Sequence, residues 1–270
     1  MKDDLNKDKL ASTLFIPLWA RAKDYELKCP NANDKYAKII LNQLNYDTSR
    51  LDNLIYLYKL LTINDLSIRS GIIDTQLKNI FKNKQNLTVY NIGCGLDSRY
   101  FRLGGLPGKW YDIDLQEVIN TKSKLFDRNE NYKLIVSDLF ELSNYPVHED
   151  TTSVFILEGV LMYYDESEVK AYLSALSENF PNSYIILEVI GKLAQNTIHP
   201  AIKALGLKHK YKWGISNYHL IENWNKRLKI MGINHVLEPG YPNWKYFKYI
   251  FKILPFIKKL AGSTILTLKT

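Results

Sequence analysis

From residue 87 onward, short apolar runs alternate with amphipathic stretches. The runs are Leu87 to Gly93, Lys109 to Asp114, Tyr132 to Asp138, Thr151 to Val160 and Ser183 to Val189; between them, Leu115 to Phe126 and Asp165 to Asn179 repeat apolar residues at helical spacing. Alternation of this kind predicts a parallel sheet covered on both faces. The second helix is well marked: Asp165 can cap it, Ser167 and Glu168 fall in its first turn, and Val169, Tyr172, Leu173 and Leu176 share one face. Pro181-Asn182 then turns the chain into the next strand.

Before residue 87 the pattern is helical. Leu14 to Tyr25, Lys35 to Leu44 and Leu51 to Thr62 each read as helix, and Ile68-Arg69-Ser70-Gly71 leads into a further apolar stretch. Residues 1–85 are therefore expected to form a helical cap over the ligand side of a core spanning 86–270, all in one structural domain. An irregular segment near 191–215 reads as a lid insertion. Beyond it, Ser216 to Met231 reads as helix, Asn234 to Pro239 as strand, Trp244 to Leu260 as a connection and Thr264 to Lys269 as a last strand. The basic, aromatic stretch Lys245 to Leu260 is read as a crossover packed on the sheet and bent by Pro255, in preference to a membrane-surface helix. The whole predicts a seven-stranded doubly wound α/β sheet with a C-terminal antiparallel hairpin strand.

Composition narrows the function classes. The chain has 270 residues, 46% of them hydrophobic, enough for a large core. Cys29 and Cys94 are far apart, which argues against a disulfide framework or a thiolate zinc site and suits a reducing, cytoplasmic setting. Five scattered histidines assemble no metal site. The charged N-terminus has no apolar stretch behind it, and no run approaches about 18 apolar residues, so neither secretion nor a membrane span is expected. A net charge of +8 would permit nucleic-acid binding, but the lysines are scattered, and no nucleic-acid partner is expected.

The candidate chemistry lies at the ends of the runs. Leu87 to Tyr100 (LTVYNIGCGLDSRY) is a strand, a turn at Gly93-Cys94-Gly95 and a helix-opening segment, an arrangement that brings bare backbone N–H groups close to a ligand. Successive strand ends then offer Asp112 and Asp114, Asp138, and Glu158. Asp112 and Asp114 lie two apart and share a face. An acid at the end of the second strand can accept both ribose hydroxyls, or it can simply cap the following helix. A dinucleotide site would want a third glycine, where Ser98 stands. Asp97 beside the turn is expected to repel a pyrophosphate and to tolerate a cationic, phosphate-free ligand such as S-adenosylmethionine.

On IPLWARAKDYE, IRSGIID, NIGCGLDSRYFRL, WYDIDLQEVI, SDLF, LEGVLMYYDESEV and the later WGISNYHLIENW, the chain resembles the leucine carboxyl methyltransferase family, in its bacterial polyketide-biosynthesis O-methyltransferase-like branch. The resemblance implies a class I, Rossmann-like methyltransferase fold with S-adenosyl-L-methionine as cofactor and S-adenosyl-L-homocysteine as product. It implies Arg69 on the methionine carboxylate, with Arg21 near a further basic position. It places Gly93 and its neighbours Cys94 and Gly95 at the amino-acid moiety, Asp114 at the ribose, Asp138 and Leu139 at the adenine, and Glu158 at the methionine portion, with Asp112, Leu115 and Gly159 as further cofactor-binding candidates. Asn91 departs from the wider class, where an acid is common.

Three readings follow: an O-methyltransferase acting on a carboxylate or hydroxyl of a small molecule, a carboxyl methyltransferase acting on a protein C-terminus, and a dinucleotide-binding or non-catalytic Rossmann-like protein. Tyr163 and Tyr164 are placed on the acceptor side, together with His199. A carboxylate acceptor needs no base, since it is ionised at neutral pH. A phenol would benefit from one, for which His199 or His209 is a candidate, and no catalytic base is assigned.

Overall fold

The computed structural model describes residues 9–84, 86–238, 240–244, 249, 252–254 and 256–270. Its elements in order are α1 (Lys9–Tyr25), α2 (Lys35–Leu44), α3 (Ser49–Asp52), α4 (Tyr56–Asn83), β1 (Leu87–Ile92), α5 (Arg99–Arg102), β2 (Lys109–Asp114), α6 (Gln116–Lys122), β3 (Tyr132–Val136), β4 (Thr152–Leu157), α7 (Glu166–Asn179), β5 (Tyr184–Ile190), α8 (Pro200–Ala204), α9 (Leu220–Trp224), β6 (Lys229–His235), α10 (Ile257–Leu260) and β7 (Ser263–Lys269). The sheet order is β3-β2-β1-β4-β5-β7-β6, with β1 to β5 parallel and β7 antiparallel to both β5 and β6. This is the expected doubly wound sheet with its antiparallel hairpin.

Side-chain alternation sorts the core into two layers. Leu87 and Val89 of β1 pack with α1, α2 and α4, whereas Tyr90 and Ile92 face Val169, Tyr172, Leu173 and Leu176 of α7. A third apolar cluster joins Ile16, Trp19 and Ala20 of α1 to Ala201, Ile202 and Leu205, holding the segment after β5 against the N-terminal helices. The start of α7 is fixed by a capping box in which Asp165 N–H donates to Glu168 at 2.7 Å.

Two elements differ from the sequence pattern. The helix expected over Leu51 to Thr62 is interrupted after Asp52, and from Tyr56 a single helix runs 28 residues through Ser70-Gly71. Gly71 sits inside it because a Cβ there would lie 2.5 Å from Asn31 O, so the glycine serves a close approach and marks no break. The helix expected over Ser216 to Met231 shrinks to Leu220–Trp224, and strand β6 begins at Lys229, ahead of the expected Asn234. Asn225 is already extended, Ile230 N–H donates to Glu222 at 3.0 Å, and Lys229 pairs with Lys269, so edge pairing with β7 overrides the helical spacing. Pro239 and Pro255 lie outside the described residues, as does much of the stretch read as a crossover.

Candidate functional site

At the end of β1 the chain turns through Gly93 (φ +60°) and Gly95 (φ +49°). A Cβ on Gly93 would come within 2.5 Å of Val160 Cγ2, so positive φ and crowding both demand glycine. Cys94 N–H donates to Ile113 O at 3.2 Å, and Gly95 N–H donates to Asp114 Oδ2 at 2.8 Å. The turn is thus tied to the end of β2. Asp114 Oδ1 also accepts from Leu115 N–H at 2.8 Å, so this carboxylate binds the two loops and makes no side-chain cap on α6. Burial pushes the Asp114 carboxyl up from its ordinary value, against these two N–H groups.

Beneath the turn lies a network that the sequence reading did not find. Arg99 is buried and reaches Asp97 (2.6 Å), Asp74 (2.6 Å) and Glu158 (2.6 Å). Arg102 reaches Asp97 (2.5 Å), Asp74 (2.8 Å) and, at 3.7 Å, Asp34. Burial opposes ionisation of Asp97, yet these two guanidinium groups hold its carboxyl well below the usual range. The expected repulsion of pyrophosphate by Asp97 is therefore corrected, because its charge is compensated within the protein. The Asp-x-Arg-x-x-Arg spacing of residues 97–102 directly after the glycine turn was the available signal.

A second group gathers around Arg69, whose Nε donates to Glu158 at 3.0 Å and whose Nη1 donates to Glu188 at 3.0 Å. Glu188 also accepts Gly159 N–H at 2.8 Å. Burial raises the Glu188 carboxyl above its ordinary value, and burial together with Glu188 pushes Asp65 up to about 7. Burial likewise works against Glu158, but Arg99 and Arg69 bring its carboxyl below the ordinary value. Glu188 was missed although, like Glu158, it is an acid at the end of a buried strand. Arg21 is committed to Asp34 at 2.9 Å and to Leu96 O at 3.2 Å.

Around this floor the carboxylates of Asp34, Asp65, Asp74, Asp97, Asp114, Glu158 and Glu188 outnumber the guanidinium groups of Arg21, Arg69, Arg99 and Arg102. Three of these carboxyls, Asp65, Asp114 and Glu188, sit above their ordinary range. An added cation would relieve that strain.

The cavity above has two lobes that share Thr13, Leu14, Gly93, Gly159 and Tyr163. The inner lobe, about 140 Å³, is lined by Arg21, Arg69, Gly93, Cys94, Gly95, Glu158, Gly159, Tyr163, His199 and Tyr211 among others. The outer lobe, about 700 Å³, is lined by Asp114, Leu115, Asp138, Leu139, Tyr163, Tyr164 and His209, and by Lys208, Lys210 and Lys212. Asp138 is exposed and accepts Phe140 N–H at 3.0 Å. Helix α1 and the segment after β5 therefore both contribute lining residues to the cavity.

Asp112 is the exception among the expected site residues. Its carboxylate is 2% exposed and lines neither lobe. It accepts from Trp110 Nε1 (2.9 Å), Tyr132 Oη (2.6 Å) and Asn91 Nδ2 (3.0 Å), and it pairs with Lys122 at 2.6 Å. Sharing a face with Asp114 puts it two residues deeper in the sheet, below the rim. Asn91 also donates to Asp97 at 3.2 Å, so its amide bridges two carboxylates at a position where an acid would add a third.

The sequence profile described as leucine carboxyl methyltransferase matches residues 17–177. An S-adenosyl-L-methionine-dependent methyltransferase, dpfgK, of Gibberella zeae is 27% identical over 199 residues, 66% of this chain and 63% of the relative, so the likeness spans less than two thirds of that protein. The tetracenomycin polyketide synthesis O-methyltransferase TcmP of Streptomyces glaucescens is 24% identical over 218 residues, 78% of this chain and 77% of the relative. Among solved structures, magnesium protoporphyrin IX methyltransferase (ChlM) from Synechocystis PCC 6803 with bound SAH superposes with a TM-score of 0.53 at 14% identity, covering 87% of this chain and 94% of that one. The plantazolicin methyltransferase BamL, in complex with a triazolic desmethylPZN analogue and SAH, gives 0.51 at 11% identity, covering 96% and 98%. These two show a common class I methyltransferase fold.

Proposed function

The chain belongs to the leucine carboxyl methyltransferase family, and from that premise we propose that it is an S-adenosyl-L-methionine-dependent O-methyltransferase acting on a carboxylate or hydroxyl oxygen of a small molecule. The observation that carries the reading is the excess of buried and half-buried carboxylates around a bare glycine turn, in a chain whose net charge is +8. Such a floor suits a sulfonium cofactor.

The residues present fit that cofactor. Gly93, Cys94 and Gly95 offer close backbone approach, and we assign them with Glu158 and Gly159 to the methionine portion. Arg69 is assigned to its carboxylate, with Arg21 held beside it in the inner lobe by Asp34; Asp114 with Leu115 is assigned to the ribose, and Asp138 with Leu139 to the adenine. The bound cofactor supplies an already activated methyl group. What remains for the protein is to hold the acceptor oxygen in line and keep water out. Tyr163, at the junction of the lobes, is assigned to the acceptor side with Tyr164 and His199. Helix α1 and the 191–215 segment are assigned the part of lids, supported by the cavity-lining residues that each supplies.

The likeness to TcmP supports a polyketide or other secondary metabolite as acceptor. Two cysteines, Cys29 and Cys94, without a disulfide among the described residues, fit the cytoplasm. Among the described residues no helix is long and apolar enough to cross a membrane. The test is transfer of a labelled methyl group from S-adenosylmethionine to panels of small carboxylic acids, phenols and C-terminal peptides. Transfer confined to the peptides would overturn the small-molecule reading.

A further inference from the structure

The outer lobe carries charge of both signs, supplied by different parts of the chain. Its acids, Asp114 and Asp138, stand at and just beyond the ends of β2 and β3, whereas Lys208, Lys210 and Lys212 come from the segment after α8. Backbone hydrogen bonds fix that segment: Tyr211 N–H donates to Thr197 O at 3.0 Å, Asn196 N–H to Tyr211 O at 2.7 Å, and Lys212 N–H to Met162 O at 2.8 Å. Tyr211 lines the inner lobe, and the lysines on either side of it line the outer lobe only. Lys212 pairs with Asp165 at 3.5 Å. Lys208 and Lys210 are exposed and meet no carboxylate among the described residues.

The cofactor offers these two cations nothing to bind. Its one anionic group, the methionine carboxylate, is assigned to Arg69 in the inner lobe, and its adenosine portion is uncharged. The sulfonium joins the methionine portion to the ribose, so it belongs where the lobes meet, at Gly93, Gly159 and Tyr163. The reacting oxygen has to come to that junction. Lys208 and Lys210 do not line the inner lobe, so an anion held by them is a different group from the atom that takes the methyl.

We propose that Lys208 and Lys210 form an anion subsite for the acceptor, holding a carboxylate, sulfate or phosphate that the acceptor carries away from its methylated oxygen. This rests on the methyltransferase reading and names a substrate class for it: an apolar body with a non-reacting anionic end. The apolar half has its own surface in the same lobe, where Leu14, Val160 and Tyr164 share the lining with the lysines. The Tyr164 ring is set edge-on to Phe140, with centroids 5.4 Å apart. One exposed charge pair is worth little in water, but two like cations at the mouth of an apolar cavity reinforce each other's field.

The test is calorimetric titration of the full chain, saturated with S-adenosylhomocysteine, with three probes of matched body: naphthalene-2-sulfonate, 2-naphthyl phosphate and the uncharged naphthalene-2-sulfonamide. Both anions should bind about fivefold or more tighter than the sulfonamide, the tighter of the two naming the head group. The preference should shrink as salt is raised from about 0.05 to about 0.5 M. The double variant Lys208→Gln/Lys210→Gln should erase it while sulfonamide affinity stays within about twofold. Lys203→Gln, on an exposed residue of α8 that lines neither lobe, should keep it. Equal binding of the three probes, no binding of any, a preference that survives the double variant, or an equal loss in Lys203→Gln would overturn the proposal. Weakened S-adenosylhomocysteine binding in the double variant would assign the lysines to the cofactor and overturn it as well. Failure of S-adenosylhomocysteine to bind the unaltered chain would defeat the methyltransferase reading instead, and the anion preference and its loss in the double variant can then be read without it.

Discussion

Glu158 at the end of β4 lies 2.6 Å from Nη2 of Arg99 at the start of α5. This contact joins the strand end facing the cavity to the helix that follows the glycine turn, and through Asp97 and Asp74 it extends to α4. Because Arg99 is 1% exposed, removing it leaves three carboxylates short of a partner in a low-dielectric site. Arg99→Ala should cost about 3–5 kcal/mol, the range for breaking a buried ion pair. Urea unfolding measures it, and a loss below about 1 kcal/mol would show that the neighbouring Arg102 suffices alone.

Asp65 gives a pH-dependent prediction. Its folded-state carboxyl stands near 7 against an ordinary 3.8, so the native state holds a proton that the unfolded chain has released. The stability it contributes is full below about pH 4 and is lost as pH rises through about 7. Asp65→Asn should therefore stabilise the protein at pH 8, by on the order of 2–4 kcal/mol, with little effect at pH 4. Denaturant midpoints at the two pH values decide it. Equal shifts at both would show that the gain has another cause.

Asn91 bridges Asp97 and Asp112 with one amide group. Asn91→Asp replaces that donor with a third carboxylate in a buried cluster and should destabilise by about 1–3 kcal/mol. Asn91→Ala removes the donor without adding charge and should cost less. Thermal unfolding of the two variants side by side gives the ordering, and equal losses would remove the electrostatic explanation.

The sequence made the sheet legible because buried parallel strands are apolar throughout, and it made the rim legible because Gly93, Asp114, Asp138 and Glu158 stand at the ends of those runs. It could not reveal depth along a strand. Asp112 and Asp114 share a face, but only the outer one reaches the cavity. Long-range pairing was equally hidden: Arg99 and Glu158 are 59 residues apart, and nothing local announces their contact. The edge strand β6 was misread because its buried side is formed by β7, whose register no local pattern encodes. His199 was visible as a cavity candidate, but its hydrogen bond to Ala201 N–H required coordinates.

Asp114 separates cofactor binding from loop tethering. It holds Gly95 N–H and Leu115 N–H, and it lines the outer lobe. Asp114→Ala should weaken S-adenosylmethionine by about 1.5–3 kcal/mol, the range for a lost charged hydrogen bond. Circular dichroism should remain native. Unchanged affinity in a folded variant would confine the residue to holding the turn.

The most direct measurement is calorimetric titration of the full chain with S-adenosylmethionine, S-adenosylhomocysteine and NAD in parallel. The account predicts saturable one-to-one binding of the two adenosyl ligands and at least tenfold weaker binding of NAD, because Ser98 stands where a dinucleotide turn would need its third glycine. NAD binding as tightly as S-adenosylmethionine, or folded protein that binds neither adenosyl ligand, would contradict it.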